Sequence, residues 1–396
     1  MERASPDRVL AEAGPRDEGR QAAGRTRWDA WVDGELGRIR AGGLWREPRR
    51  FDAFGPRGRL PSGREVVSFA SNDYLGLTTH PAVVEAAVDA LRRWGTGSGA
   101  SRLVTGSRPV HHSLEEELAA WKGAESAVIF PTGFAANLSV LTVFGASDCR
   151  ILSDELNHAS IIDGCRLARA EVAVWRHRDT DHLRDLLRQA ENEGKRPIVV
   201  SDVVFSMDGD VADVEALVEL CTAFDALLVL DEAHVVLDPP TVPAEAAVLR
   251  VGTLSKTLGS LGGFVAGPRR WCELLVNRAR PYIFTTAPTP ADAAAALAAL
   301  RILRSGEGGD LLSTLRSHVD AIAPGHPSPI IPVMCGSEEA ALAAAGALEE
   351  RGLWVPAIRP PTVPPGTSRL RVTLSAAHRA GEVSELARAL RELGLL

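Results

Sequence analysis

Leu227-Leu-Val-Leu-Asp-Glu-Ala-His234 places four apolar residues in a row ahead of two acids, an alanine and an imidazole. So short an unbroken apolar run reads as a strand covered on both faces, as in a parallel sheet with helices on either side. It also delivers Asp231 to the carboxyl end of the strand, the edge at which open α/β sheets bind ligands. Runs of the same kind occur at Ala127–Phe130, Ile198–Phe205, Val248–Val251 and Phe264–Ala266. Between such runs, Pro81–Trp94 and Val214–Ala223 carry helical spacing. The expectation is an α/β fold built on a large, mostly parallel sheet.

Outward from this centre, residues 1–25 mix Arg, Glu, Gly and Ala without periodicity and read as a disordered tail. Residues 26–67 read as an N-terminal helix and arm, with Trp28, Trp31, Leu36, Ile39 and Leu44 at roughly helical spacing. Residues 68–290 form the large α/β domain. Residues 291–396 supply a linking alanine-rich helix, a hinge at Gly306-Glu-Gly-Gly309 and a small α+β domain of βαββα order: Pro329–Met334, Glu338–Arg351, Leu353–Ile358, Arg369–Ser375 and Ala380–Leu393.

A chain of 396 residues, 45% hydrophobic and 24% charged, has the makings of an enzyme-sized globular body. Its net charge of −7 gives no overall attraction to nucleic acid or anionic membranes. No apolar run is long enough to span a bilayer, and the N-terminus lacks a signal layout. Five cysteines, with no C-x-x-C pair, fit reduced thiols in the cytoplasm and no metal centre.

The chemistry-bearing candidate is Lys256, within Val248-Leu-Arg-Val-Gly-Thr-Leu-Ser-Lys-Thr-Leu-Gly-Ser-Leu-Gly-Gly-Phe264. A lone lysine in a polar turn is ordinarily a solvated surface group. Here hydroxyls crowd it and glycines let backbone approach a ligand, which suits a phosphate beside an amine able to form a Schiff base with an aldehyde. Asp231 can hold a pyridine nitrogen protonated, because a nearby opposite charge favours the charged form. His234 can reach the phenolic oxygen of the same ring. On the plainer reading, Asp231 and His234 cap the next segment. The letters Asp-Glu-Ala-His also occur in helicases, but these need a G-x-x-x-x-G-K-[ST] loop upstream, which the chain lacks.

Phe130-Pro-Thr-Gly-Phe-Ala-Ala-Asn137 places Gly133 and Phe134 after a strand and at a helix start, where free N–H groups and the dipole grip phosphate. In Ser153-Asp-Glu-Leu-Asn-His158-Ala-Ser160 the imidazole of His158 follows another strand and can stack on a flat ring. Gly95–Gly106, taken alone, is a flexible loop.

Together with Ser71-Asn-Asp-Tyr-Leu-Gly76, Val204-Phe-Ser-Met-Asp-Gly-Asp210 and Pro360-Pro-Thr-Val-Pro-Pro-Gly-Thr-Ser-Arg-Leu-Arg-Val-Thr-Leu-Ser-Ala-Ala-His378, these stretches resemble the α-oxoamine synthases. Those are fold-type I enzymes dependent on pyridoxal 5'-phosphate (PLP) that join an amino acid to an acyl thioester and release CO2. The resemblance runs from about Ser68 to the C-terminus. It implies that Lys256 binds the cofactor covalently, Asp231 pairs with the pyridine nitrogen, His234 meets the ring oxygen and His158 stacks. It further implies that Gly133, Phe134 and Thr253 hold phosphate, with Ser206 near the ring oxygen. The family shares its active site across a homodimer, so Thr285 or Thr286 would reach the partner's phosphate. Asn72 and Arg371 would bind the amino acid's carboxylate, and Thr362 would line the substrate pocket. The Pro360–His378 stretch is most similar to the biotin-pathway branch, which uses L-alanine and a pimeloyl thioester on coenzyme A or acyl carrier protein. Glycine- or serine-using members, such as 2-amino-3-ketobutyrate ligase, are the alternative, and a fold-sharing protein without turnover is a more distant one. The chain departs from the family after His234, where Val-Val-Leu-Asp-Pro-Pro replaces a glycine-rich run, and the difference falls at the substrate entrance.

Overall fold

The structure, a computed structural model, describes residues 26–243 and 246–396. The tail expected at 1–25 lies outside the described residues.

Arg27–Ala41 is a helix opened by a capping box: Thr26 Oγ1 accepts from Asp29 N at 3.1 Å while Asp29 Oδ2 accepts from Thr26 N at 2.7 Å. This agrees with the periodicity of the segment.

From Phe51 onward the described residues build three sheets. Strands β1 (Asp52–Phe54), β2 (Arg57–Arg59) and β3 (Glu65–Ser68) form an antiparallel meander. The large sheet holds β4 (Ser126–Phe130), β5 (Cys149–Asp154), β6 (Glu171–Trp175), β7 (Arg196–Asp202), β8 (Leu227–Asp231), β9 (Val248–Thr253) and β10 (Gly263–Gly267), in the order β4-β10-β9-β8-β7-β5-β6. The pairings from β9 through β6 are parallel, and β10 runs antiparallel to both its neighbours. In β11 (Ile330–Gly336), β12 (Leu353–Trp354), β13 (Ala357–Ile358) and β14 (Ser368–Thr373) the run Leu353–Ile358 proves to be two strands. β12 joins β3 in parallel while β13 pairs with β14, and Pro356 between them, with no N–H to give, sits where the chain changes sheets.

Both faces of the large sheet are dry along its central strands, while the edge strand β6 leaves Val172 and Val174 exposed. Phe130, Ile151, Val200, Val229 and Val251 pack on one side, and Leu152, Val199, Leu228 and Leu230 on the other. This is the reason β8 reads as an unbroken apolar run rather than an alternating one. Helices Pro81–Trp94 and Val214–Ala223 have the expected bounds.

The glycines at 306–309 form no hinge; they open the helix Gly306–Ile322. A Cβ on Gly308 would stand 2.3 Å from the Leu303 carbonyl oxygen, so the close approach of this turn to the preceding helix end demands glycine. Among the described residues no helix is long and apolar enough to cross a membrane.

Candidate active site

Strand register sets the floor of the site. On adjacent parallel strands Asp202 and Asp231 are direct partners at the carboxyl ends of β7 and β8. Thr253 closes β9, and the turn after it carries Lys256 back toward them. On the far side of β10, Thr132 caps the helix Gly133–Phe144 by accepting from Ala135 N at 3.0 Å. The amides of Gly133 and Phe134 therefore precede the helix's own ladder and face the strand ends.

These elements enclose a cavity of about 190 Å³ lined by Gly133, Phe134, His158, Asp231, His234, Thr253 and Lys256. All seven were expected from the sequence. Thr132, Asn137, Ser160, Asp202 and Ser255 line it too and were not.

Asp231 is gripped from two sides, its Oδ1 accepting from Ala233 N at 2.9 Å and its Oδ2 from Asn137 Nδ2 at 2.6 Å. Asn137 also donates to Ser160 Oγ at 2.9 Å, and its own Oδ1 is buried without a partner. Burial, reinforced by the Asp231 charge, pushes the Asp202 carboxyl well above the usual carboxylate range. Asp202 Oδ2 also accepts from His158 N at 3.1 Å and so holds the backbone at His158. The His158 ring is pinned by Ser160, whose Oγ lies 2.8 Å from Nδ1. Burial lowers its pKa and favours the neutral ring, the form that stacks on a flat heterocycle.

Lys256 Nζ lies 2.8 Å from His234 Nε2. Burial lowers the lysine's pKa, against the pull of Asp231 and Asp202, and so raises the share of free amine, the nucleophilic form. His234 is held neutral by burial and by the Lys256 and Arg371 charges.

Arg371, on β14, arrives from the small sheet. Residues 69–76 run beside β14, with Thr373 N donating to Phe69 O at 2.8 Å and Ala376 N to Tyr74 O at 2.8 Å, and this brings Asn72 to Arg371. The Arg371 guanidinium donates to Ser206 O at 2.6 Å, to Thr373 Oγ1 at 2.9 Å and to Asn72 Oδ1 at 3.3 Å. Ser206 thus meets Arg371 through its carbonyl and is not among the cavity's lining residues. Thr285 and Thr286 lie in the segment following the helix Arg280–Ile283 and are not among the cavity's lining residues, and Thr362 is exposed in the Pro360–Gly366 loop. After His234 the chain packs down at Val235 and Val236, and Asp238 pairs with Arg316 at 2.5 Å.

Residues 64–390 match the family described as aminotransferase class I and II. The chain is 46% identical over 384 residues to the 8-amino-7-oxononanoate synthase of Anaeromyxobacter dehalogenans (strain 2CP-1 / ATCC BAA-258), covering 91% of this chain and 94% of that one. It is 47% identical over 370 residues to the protein of the same name from Methylobacterium sp. (strain 4-46), covering 92% and 97%. Its fold superposes with a TM-score of 0.84 on the serine palmitoyltransferase of S. paucimobilis, solved with PLP and myriocin bound, at 27% identity over 94% of this chain and 100% of that one.

Proposed function

The chain belongs to the aminotransferase class I and II family, and from that premise we propose that it condenses L-alanine with a pimeloyl thioester to 8-amino-7-oxononanoate. CO2 and free thiol leave, and the product feeds biotin synthesis. The supporting names are those of relatives 46–47% identical over nearly the whole chain. The observation that carries the reading is the placement of a half-buried amine at Lys256 and a guanidinium at Arg371 along one hydrogen-bonded line. An amino acid needs a group to engage its nitrogen and a two-pronged partner for its carboxylate.

The enzyme depends on pyridoxal 5'-phosphate, and the residues present fit that cofactor. The phosphate would rest on the free amides of Gly133 and Phe134 and on Thr253 Oγ1. Backbone shape agrees, because a Cβ at Gly263 would stand 2.5 Å from Gly133 N and close this cradle. Asp231 would face the pyridine nitrogen, His158 the ring face and His234 the phenolic oxygen. When bound, the cofactor supplies an electron sink for negative charge at the amino acid's Cα. Asn72 and Arg371 orient the substrate by its carboxylate. Lys256 Nζ, uncharged in part through burial, accepts the Cα proton and later returns it.

Assays of thiol release from pimeloyl-CoA, run separately with L-alanine, glycine and serine, should show the highest kcat/KM with L-alanine. A pocket that tells a methyl from a hydrogen contributes about 1–3 kcal/mol, or 10- to 200-fold. Preference for glycine with acetyl-CoA would overturn the assignment in favour of 2-amino-3-ketobutyrate synthesis. The same assay with the thioester on acyl carrier protein identifies the physiological donor.

The proposal extends to a cytoplasmic homodimer. Free thiols at all five cysteines accord with a reducing compartment. Ala287 N donates to Ala100 O at 3.0 Å, tying the Thr285–Thr286 segment to the Gly95–Gly106 loop. Beside this tie Val104 is 74% and Phe284 70% exposed, apolar surface that a second copy would cover while Thr285 or Thr286 reached its phosphate. Sedimentation of the wild type should give twice the mass of one chain, and Val104→Lys should dissociate on dilution. A wild-type monomer with full activity would sink the shared-site arrangement.

A further inference from the structure

Tyr74 is fully buried in the middle of the line that joins the reacting amine to the carboxylate-binding guanidinium. Its hydroxyl lies 2.5 Å from His234 Nδ1 and 3.2 Å from Asn72 Oδ1. Beyond the imidazole, His234 Nε2 is 2.8 Å from Lys256 Nζ; beyond the amide, Arg371 donates to Asn72 Oδ1 at 3.3 Å.

A phenol has one proton to give, and two acceptors compete for it. A separation of 2.5 Å lies at the short end of the range for a hydroxyl donor, whereas 3.2 Å lies beyond that range, so the proton points at Nδ1. A neutral imidazole that accepts at Nδ1 carries its own proton on Nε2, the nitrogen facing Lys256. Burial keeps both partners in the required state, raising the phenol's pKa and lowering that of His234.

We infer that Tyr74 is a positioning residue: it holds His234 in the form that presents Nε2–H to Lys256, and it passes the state of the Asn72–Arg371 site to the reacting amine. The inference rests on the reading of Asn72 and Arg371 as the carboxylate site. A carboxylate that draws Arg371 from Asn72 Oδ1 leaves that oxygen a better acceptor for the phenol, which weakens the bond to Nδ1. The state of the amino-acid site is thereby felt at Lys256, on the other side of two side chains.

The chain has only two tyrosines, Tyr74 and Tyr282. Tyr282 packs its ring edge-on against Phe130 at 5.8 Å, a contact that Tyr282→Phe retains. In that background, incorporation of 3-fluorotyrosine places a single fluorine label at Tyr74. Propionate offers the holoenzyme the carboxylate and carbon chain of L-alanine with no amine to react. The expected result is that propionate competes with L-alanine and shifts the fluorine resonance along the same binding curve, and that the shift vanishes in Arg371→Leu. Competition with a motionless resonance overturns the relay and leaves the carboxylate site standing. Absence of competition overturns the carboxylate site itself, and the relay with it. In Tyr74→Phe the pH midpoint of the bound cofactor's visible absorbance should move by about one unit. A hydroxyl with only a packing role would lower Tm and leave that midpoint in place, which also overturns the inference.

Discussion

Lys256→Ala should lower kcat by at least about three orders of magnitude while leaving a folded protein that still takes up cofactor. Lys256 has two tasks in the proposed reaction, the covalent hold on the cofactor and the movement of the Cα proton, and alanine can do neither. Its side chain belongs to none of the apolar clusters that make the core, so the fold has little to lose. The amides of Gly133 and Phe134 and the carboxylate of Asp231 are untouched, so the cofactor binds without a covalent bond. Borohydride treatment followed by peptide mapping should find the cofactor fixed to Lys256 in the wild type, whereas denaturation should release it from the variant. A Lys256→Ala enzyme turning over at the wild-type rate would refute the assignment.

Much of the site is legible in the sequence because its main groups stand at positions that local rules identify. Asp231 ends an apolar strand, Gly133 and Phe134 open a helix, and Lys256 sits in a turn of hydroxyls and glycines. The residues that support them carry no such mark. Asn137 earns its place only by reaching Asp231, 94 positions away, and nothing within its own helix signals it. Asp202 looks like any strand-end acid until the β7–β8 register sets it beside Asp231. Tyr74 lies inside the quoted Ser71–Gly76 stretch, yet its partner His234 is 160 residues on. The same limit explains the errors in the fold: which sheet β12 joins, and whether a glycine cluster bends or begins a helix, depend on neighbours brought in by the tertiary structure.

Asp231→Asn should reduce kcat by about 10²- to 10³-fold, or roughly 3–4 kcal/mol of transition-state stabilisation, with a smaller change in KM for L-alanine. The substitution removes a charge and keeps the shape. The local hydrogen bonds can be remade, since Asn137 Oδ1 is buried without a partner and can accept from the new amide once the Asn137 side chain turns over. The loss in rate therefore reads the missing negative charge opposite the pyridine nitrogen rather than a disrupted fold. Asp202 limits that loss. Its pKa is raised first by burial and then by the Asp231 charge, so removing that charge shifts the carboxyl back toward its ordinary value and lets Asp202 ionise more readily at the neighbouring strand end. A carboxylate there is displaced by one strand and restores only part of the field. Adding Asp202→Asn to Asp231→Asn should accordingly cost more than Asp202→Asn costs in the wild-type background, the non-additivity expected of two acids sharing one charge. Steady-state kinetics on the four proteins of this cycle test both claims. An Asp231→Asn enzyme within about threefold of the wild-type kcat would remove Asp231 from its role, and strictly additive losses would remove Asp202 as its reserve.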